Sequence, residues 1–239
     1  MYSKKLFIFL SLIFCSISAY SQHTVGGTAS KGMDMNTMPY GTIQEVISVR
    51  PSVKGSYYLQ KEWQIGTIEL YQTEYVIENI SVRYNLLNEV IEIKDGNTIR
   101  AIDSRRIKKF SIGNKSGGIT EFYHGRYFLL NNTPLTGMLE LVESKPDVAL
   151  YRRTTPKLIN GSYVAVLDMG NEHDEIVKNH TYYLESGGDL LIVNNSKTQF
   201  SRQFDDKKRK VKEKLKMNNI NLNNVDDLIE MLDFIGEYL

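Results

Sequence analysis

The stretch Ile80-Ser81-Val82-Arg83-Tyr84-Asn85-Leu86-Leu87-Asn88-Glu89-Val90-Ile91-Glu92-Ile93-Lys94 decides the fold. Before its polar break the apolar residues Ile80, Val82 and Tyr84 fall on even positions; after it, Ile91 and Ile93 fall on odd ones. Successive strand side chains point to opposite faces, so the two segments share an apolar face only if paired positions sum to an odd number. A Leu87-Asn88 loop achieves this. It sets Tyr84 opposite Ile91, Val82 opposite Ile93 and, on the other face, Arg83 opposite Glu92. Asn88 is the residue expected to take the positive φ of the tight loop. At the next turn, Asp95-Gly96-Asn97, a three-residue loop with a bulge is expected to bring Ile99 and Ala101 beside Ile93 and Ile91.

Short alternating segments recur on both sides of this hairpin. They lie at Ser56–Trp63, Gly66–Tyr71, Tyr75–Asn85, Glu89–Lys94, Thr98–Ile102, Ile107–Ile112 and Ile119–Tyr123. More follow at Arg126–Leu130, Met138–Val142, Val148–Arg152, Tyr163–Asp168, Tyr182–Leu184 and Leu190–Val193. Tyr, Val, Ile and Thr dominate, as strands prefer. The spacing is about one strand per ten residues with no long helical pattern between, which predicts antiparallel meanders instead of β-α-β units. The expected class is mainly β, a sandwich or open barrel-like arrangement of antiparallel sheets with a C-terminal helical hairpin.

That hairpin is read from a change of period over residues 196–239. Asp205–Met217 reads as a lysine-crowded helix, Asn218–Asn223 as a polar break, and Asn224 as the N-cap of a second helix. In the second helix Val225, Leu228, Ile229, Leu232, Ile235, Tyr238 and Leu239 form an apolar stripe at helical spacing, with Asp226 and Asp227 favouring the first turn.

At the other end, residues 1–21 read as a secretory signal peptide. Lys4 and Lys5 precede an apolar run, Leu6–Cys15, too short to cross a bilayer, and Ala19 and Ser21 suit positions −3 and −1 of a cleavage site. Phe14 is too large for lipid attachment at Cys15. The mature chain is expected to start at Gln22, with residues 22–53 as an extended or disordered arm, apart from a short strand at Ile43–Val49, and residues 55–195 as the β-rich body. Loss of two lysines leaves 27 basic against 28 acidic side chains and removes the single cysteine. A near-neutral, cysteine-free chain has no disulfide framework, no multi-cysteine zinc site and no global charge suited to nucleic acid. It also offers no integral membrane span.

The motif Gly55-Ser56-Tyr57-Tyr58-Leu59, followed by Trp63, Gly66, Arg83-Tyr84-Asn85, Glu89 and Glu92, resembles a group of uncharacterised exported bacterial proteins. Tyr57 stands where proline is usual in that group. Phe204–Leu239 is similar to their lysine-rich helix, Asn-rich break and acidic helix. The resemblance implies export and this architecture, and carries no functional residue.

Several clusters invite a functional reading. Arg83, Tyr84, Asn85 and Glu92 could bind a ligand, although cross-strand charge pairing explains Arg83 and Glu92 without one. Asp168, Glu172 and Asp174 lie in the densest acidic stretch and are weak metal candidates; Met169 and Gly170 break the alternation a calcium loop needs. His173 and His180 are seven apart, unlike a helical zinc pair. Lys207–Lys216 carries seven bases and one acid and could meet lipid headgroups or nucleic acid. Without an interleaved aromatic, it reads better as a solvated helix paired with the acidic one. Asp103 and His124 could meet a serine in space. No nucleophile elbow, phosphate loop or His-Glu-x-x-His is present, so no cofactor is implied. The leading reading is an exported, non-enzymatic protein that binds or docks to an envelope or extracellular partner. The alternatives are an envelope hydrolase using acidic residues such as Asp168, Glu172 and Asp174, and an apolar-ligand carrier.

Overall fold

The computed structural model describes residues 53–71, 75–113, 117–162 and 173–239, together with the strand backbone of 43–45. The first strands are β1 (Ile43–Glu45), β2 (Lys54–Gly55), β3 (Gln64–Leu70), β4 (Val76–Asn85), β5 (Val90–Asp95) and β6 (Thr98–Asp103). β7 (Ile107–Gly113), β8 (Ile119–His124), β9 (Leu129–Leu130) and β10 (Thr133–Pro134) follow. The last are β11 (Met138–Lys145), β12 (Val148–Ile159), β13 (Glu175–Ser186) and β14 (Asp189–Ile192). The chain ends in α1 (Lys197–Ser201), α2 (Lys208–Met217) and α3 (Val225–Ile235). The strands form one sheet in the order β1-β6-β5-β4-β3-β7-β8-β11-β12-β13-β14-β9-β10, with β2 added to β13. Pairing is antiparallel except for β2 on β13 and β9 on β14, and the sheet is not closed.

The β4–β5 register is the one parity demands: Val82 faces Ile93, Arg83 faces Glu92 and Tyr84 faces Ile91. The positive φ of the connection falls on Glu89 (51°) and not on Asn88. Asn85 explains the shift, since its Oδ1 accepts from the amides of Leu87 and Asn88 and so shapes the loop from its first residue. The β5–β6 turn corrects a second expectation. Asp95 pairs with Thr98 across a two-residue Gly96-Asn97 loop, so Arg100 and Ile102, not Ile99 and Ala101, lie opposite Ile93 and Ile91. Gly96 takes φ +57° at the first loop position, where a tight hairpin turn favours glycine.

Three apolar clusters follow from the alternation. Ile68, Val82, Ile91, Ile93, Ile102, Phe110 and Phe122 form the first, on one face of β3–β8. Phe110 and Phe122 stack within it at 4.3 Å. On β12 and β13 the even residues Val148, Leu150 and Leu184 pack under the helices, while Ala149, Tyr151 and Tyr183 join Phe128, Leu139 and Leu190 on the opposite face.

Local differences have physical causes. Ser56–Trp63 is not a strand; it makes a single bridge, Tyr58 to Asn85, and lies across the hairpin. Arg126–Leu130 is a 3-10 turn, Gly125–Tyr127, followed by the two-residue β9. β12 and β13 are twelve residues each, far longer than expected, because they pair along their whole length from Ala149–Glu185 to Ile159–Glu175. Tyr163–Asp168 and the residues of Ile43–Val49 beyond Glu45 lie outside the described residues. The lysine-rich helix starts at Lys208, not Asp205, because Asp205 sits at φ 43°, ψ −117° and breaks the helix there. α1 precedes that break, capped by Ser196. Asn224 caps α3 as expected, accepting from the amides of Asp226 and Asp227.

Leu228 and Leu232 of α3 are buried against Val148, Leu150 and Leu184 of the sheet and Val211 and Leu215 of α2. An eleven-residue helix is marginal alone in water, so this contact is what holds it. Leu232→Ala is therefore expected to destabilise the protein by about 2–5 kcal/mol. A thermal melt checks this, and an unchanged melting temperature would remove α3 from the core.

Candidate functional site

Arg83, Asn85 and Glu92 come together, but as a closed structural cluster. Glu92 is fully buried on the face of β5 that Ser56–Trp63 covers. Its Oε2 accepts from Arg83 Nη2 at 2.7 Å and Nε at 3.3 Å; its Oε1 accepts from the Tyr58 hydroxyl at 3.0 Å and Asn85 Nδ2 at 3.4 Å. The Arg83 guanidinium lies 3.5 Å from the Tyr58 ring centroid and 4.5 Å from that of Trp63. Burial, then the neighbouring Glu92 charge, pushes the Tyr58 hydroxyl above its ordinary pKa. Tyr84 points the other way, packing edge-on to Phe110 at 5.7 Å in the first core. Each Glu92 oxygen is engaged within the cluster, and the small cavity that Arg83 borders holds only about 10 Å³. Tyr58 and Trp63 complete this cluster. Their signal in the sequence was an aromatic-rich alternating segment, Ser56–Trp63, lying before the strand that carries Arg83.

The acidic stretch offers less. Asp168 and Glu172 lie outside the described residues. Asp174 Oδ1 accepts from the Gly161 amide at 2.9 Å, a loop-closing contact. Among the described residues no three His, Cys, Asp or Glu side chains gather as a metal site would require.

Asp103, Ser104 and His124 do not assemble a charge-relay trio. Asp103 is taken by the amide and guanidinium of Arg105. His124 Nδ1 accepts from the Arg126 amide at 3.1 Å, so the proton of the neutral ring sits on Nε2 and that atom cannot act as the base. Burial first, then the Arg126 charge, lowers the His124 pKa to about 4.

A groove lies elsewhere, along an open edge of β13. It holds about 650 Å³ and is lined by Lys178–Tyr182, Val193–Asn195, Gln199, Leu222 and Asn223. On this edge β2 covers Glu175 and Ile176, and β14 covers Tyr183–Ser186. Between them, residues 177–181 have no strand partner among the described residues. Asp174 and Tyr182 both turn their carbonyls to this side, accepting from Lys54 N and Val193 N at 2.9 Å each. Alternation then places the main-chain N–H and C=O of Lys178 and His180 on the open side as well.

Gly55 creates the gap. It takes φ +92°, and a Cβ there would sit 2.4 Å from the Ile176 carbonyl oxygen. Only glycine lets the chain touch β13 and then turn away to Tyr58. Lys178 Nζ donates to the Leu59 carbonyl at 2.8 Å, tying that lip down. Burial lowers the pKa of Lys178, aided by Lys61, and that of His180, aided by Arg152. His180 Nδ1 lies 3.0 Å from Thr154 Oγ1. No sequence pattern marks this groove, because it depends on where two distant strands stop.

Comparison of the chain with protein-family models, with curated proteins and with solved structures finds no match.

An exposed ion pair contributes little, but Glu92 is fully buried, so here the pair matters more. Arg83→Ala leaves an uncompensated buried carboxylate and should cost about 3–5 kcal/mol. Adding Glu92→Gln should recover part of that loss in chemical denaturation. Equal losses in the single and double variants would show that the charge pair is not the cause.

His124 supplies a pH-dependent term. Its folded pKa lies below the unfolded value of about 6.5, so the fold disfavours the charged ring. That contribution is intact above pH about 6.5 and is lost progressively down to about 4. His124→Asn lacks this loss, so the stability advantage of wild type over variant should shrink across that window. An advantage constant with pH would contradict the buried neutral imidazole.

Proposed function

We propose that this chain is an exported, non-catalytic docking protein that binds an extended polypeptide segment of another protein by strand addition to β13. The observation that carries the reading is the uncovered stretch 177–181, where the main-chain groups of Lys178 and His180 face a groove between β2 and β14. Five residues of strand span about 17 Å, enough for a short peptide to pair in line with β14.

The opposite edge of the same ribbon argues that the opening matters. β11 pairs with β12 only as far as Arg152, so among the described residues the outer half of β12 is also an open edge. There Pro156 occupies the register position opposite Lys178, where its missing N–H points outward and blocks further pairing. β13 carries no such block. The groove walls favour a neutral backbone: Asn179, Asn194, Asn195, Gln199 and Asn223 present amides that both donate and accept. Its two basic side chains are held below their ordinary pKa values. Export rests on the signal-peptide pattern of residues 1–21. The hydrolase reading gains no arrangement of residues here, since Asp168 and Glu172 lie outside the described residues. For the apolar carrier, the first core is filled by its own aromatic side chains and the large groove is polar.

Peptides selected by display against the exported form, whose N-terminus mass spectrometry should place at Gln22, provide the test. His180→Pro removes an outward N–H without touching the β12 ladder, and should weaken selected peptides at least tenfold while leaving the melt nearly unchanged. Amide exchange at Lys178 and His180 should be fast in the free protein and slow in the complex. Peptides that bind His180→Pro as well as wild type, slow exchange of both amides in the free protein, or self-association through this edge would each overturn the reading.

A further inference from the structure

α2 carries the most concentrated charge in the molecule. Lys207–Lys216 holds seven bases and one acid, +6, in a chain of formal charge +1, so everything else together carries −5. The cross-helix pairing expected to neutralise it is not formed among the described residues. Asp233 of α3 pairs with Lys145, at 3.1 Å, and Asp227 accepts from the Asn221 amide. On α2 itself Arg209 reaches Glu213 at 3.5 Å and Lys214 lies over Phe234, while Lys207, just before the helix, donates to the Tyr238 carbonyl. Val211 and Leu215 are fully buried in the second core, which fixes the helix's rotation. At about 100° per residue, Lys208, Arg209, Lys212 and Lys216 then fall within one sector beside the buried stripe. Met217 follows at the helix end, 81% exposed.

We propose that this sector of α2 binds the anionic headgroups of a lipid bilayer surface. Its charge complements a surface that is flat and uniformly negative on the scale of the helix, about 15 Å long. The fully buried apolar stripe cannot insert, so attachment is electrostatic, peripheral and salt-labile, with only Met217 available to the headgroup boundary. Nucleic acid fits less well, because no aromatic side chain stands in the basic run to stack on bases.

The test is co-sedimentation of the full-length protein with vesicles of phosphatidylcholine containing phosphatidylglycerol, against vesicles of phosphatidylcholine alone. The triple variant Lys208→Gln/Lys212→Gln/Lys216→Gln keeps the same N-terminal segment, so that segment's own lipid affinity cancels. Each base near an anionic surface contributes about fivefold to partitioning, so the variant should bind about a hundredfold more weakly. Raising salt from about 50 mM to about 300 mM should abolish the wild-type advantage. An unchanged melt for the variant shows that the fold survives. Equal partitioning of wild type and variant would overturn the proposal. So would binding of heparin or single-stranded DNA that depends on these lysines without vesicle binding, which would reassign the face to a soluble polyanion.

Discussion

The carboxylate of Glu92 is the constraint on which the rest of the structure depends. It is buried on the face of β5 that a two-sided meander would leave to water. An ion removed from water costs several kcal/mol unless donors surround it, with estimates on the order of 20 for the bare charge. The donors therefore have to come from the segment that crosses that face. Tyr58 supplies one, Arg83 two and Asn85 a fourth, while Tyr58 and Trp63 close on the guanidinium. The crossing segment is fastened at both sides of Tyr58, through Leu86 N to Tyr57 O and Leu59 N to Tyr84 O. Once Leu59 is fixed its carbonyl holds Lys178, and Gly55 is held against Ile176. A charge pair in one part of the sheet thus sets the lip of the groove on β13.

The two long strands show how an open edge is controlled. Both β12 and β13 extend beyond their inner neighbours, and each leaves main-chain groups without a strand partner among the described residues. On β12 the exposure is closed chemically, by Pro156. On β13 it is closed at both ends by pieces of other strands and left open between them. A gap bounded in this way limits pairing to a short segment, which reduces indiscriminate edge-to-edge association while keeping a place for one strand.

Much of the sheet was legible in the sequence because strand parity is a strict rule. The β4–β5 register follows from the positions of five apolar residues, and the α3 cap and stripe follow from Asn224 and the spacing of Leu228 and Leu232. Failures occurred where a competing interaction overrode the local pattern. The Asn85 side chain moved the positive φ from Asn88 to Glu89. At the next turn Gly96 took the first loop position and placed Arg100 opposite Ile93, a pairing that simple apolar matching rejects. Ser56–Trp63 alternates like a strand, but its aromatics serve Arg83 and Glu92 instead of a ladder. The strand expected to end at Arg152 runs on to Ile159, because Pro156 turns its missing N–H away from β13 and so stays compatible with the β12–β13 ladder. Of the candidate site residues, Arg83 and Asn85 meet at the buried Glu92 carboxylate while Tyr84 points into the core, and the groove was invisible because it is a property of pairing.

Strand addition alone is weak. Four main-chain hydrogen bonds contribute about 0.5–1.5 kcal/mol each. Ordering five residues of a free chain costs about 1–2 kcal/mol per residue, which offsets all of that. Selection among ligands must then come from chains that are already extended, whose ordering cost is low, and from the amide walls around Asn179, Asn194 and Asn223. A protein held at a surface by α2 meets ligands on that surface at an effective concentration that reaches the millimolar range for short tethers. Free in solution the same edge would bind little. The two proposals are therefore coherent with each other: under them the basic helix would supply proximity, and the uncovered strand a geometric test that only an extended segment passes.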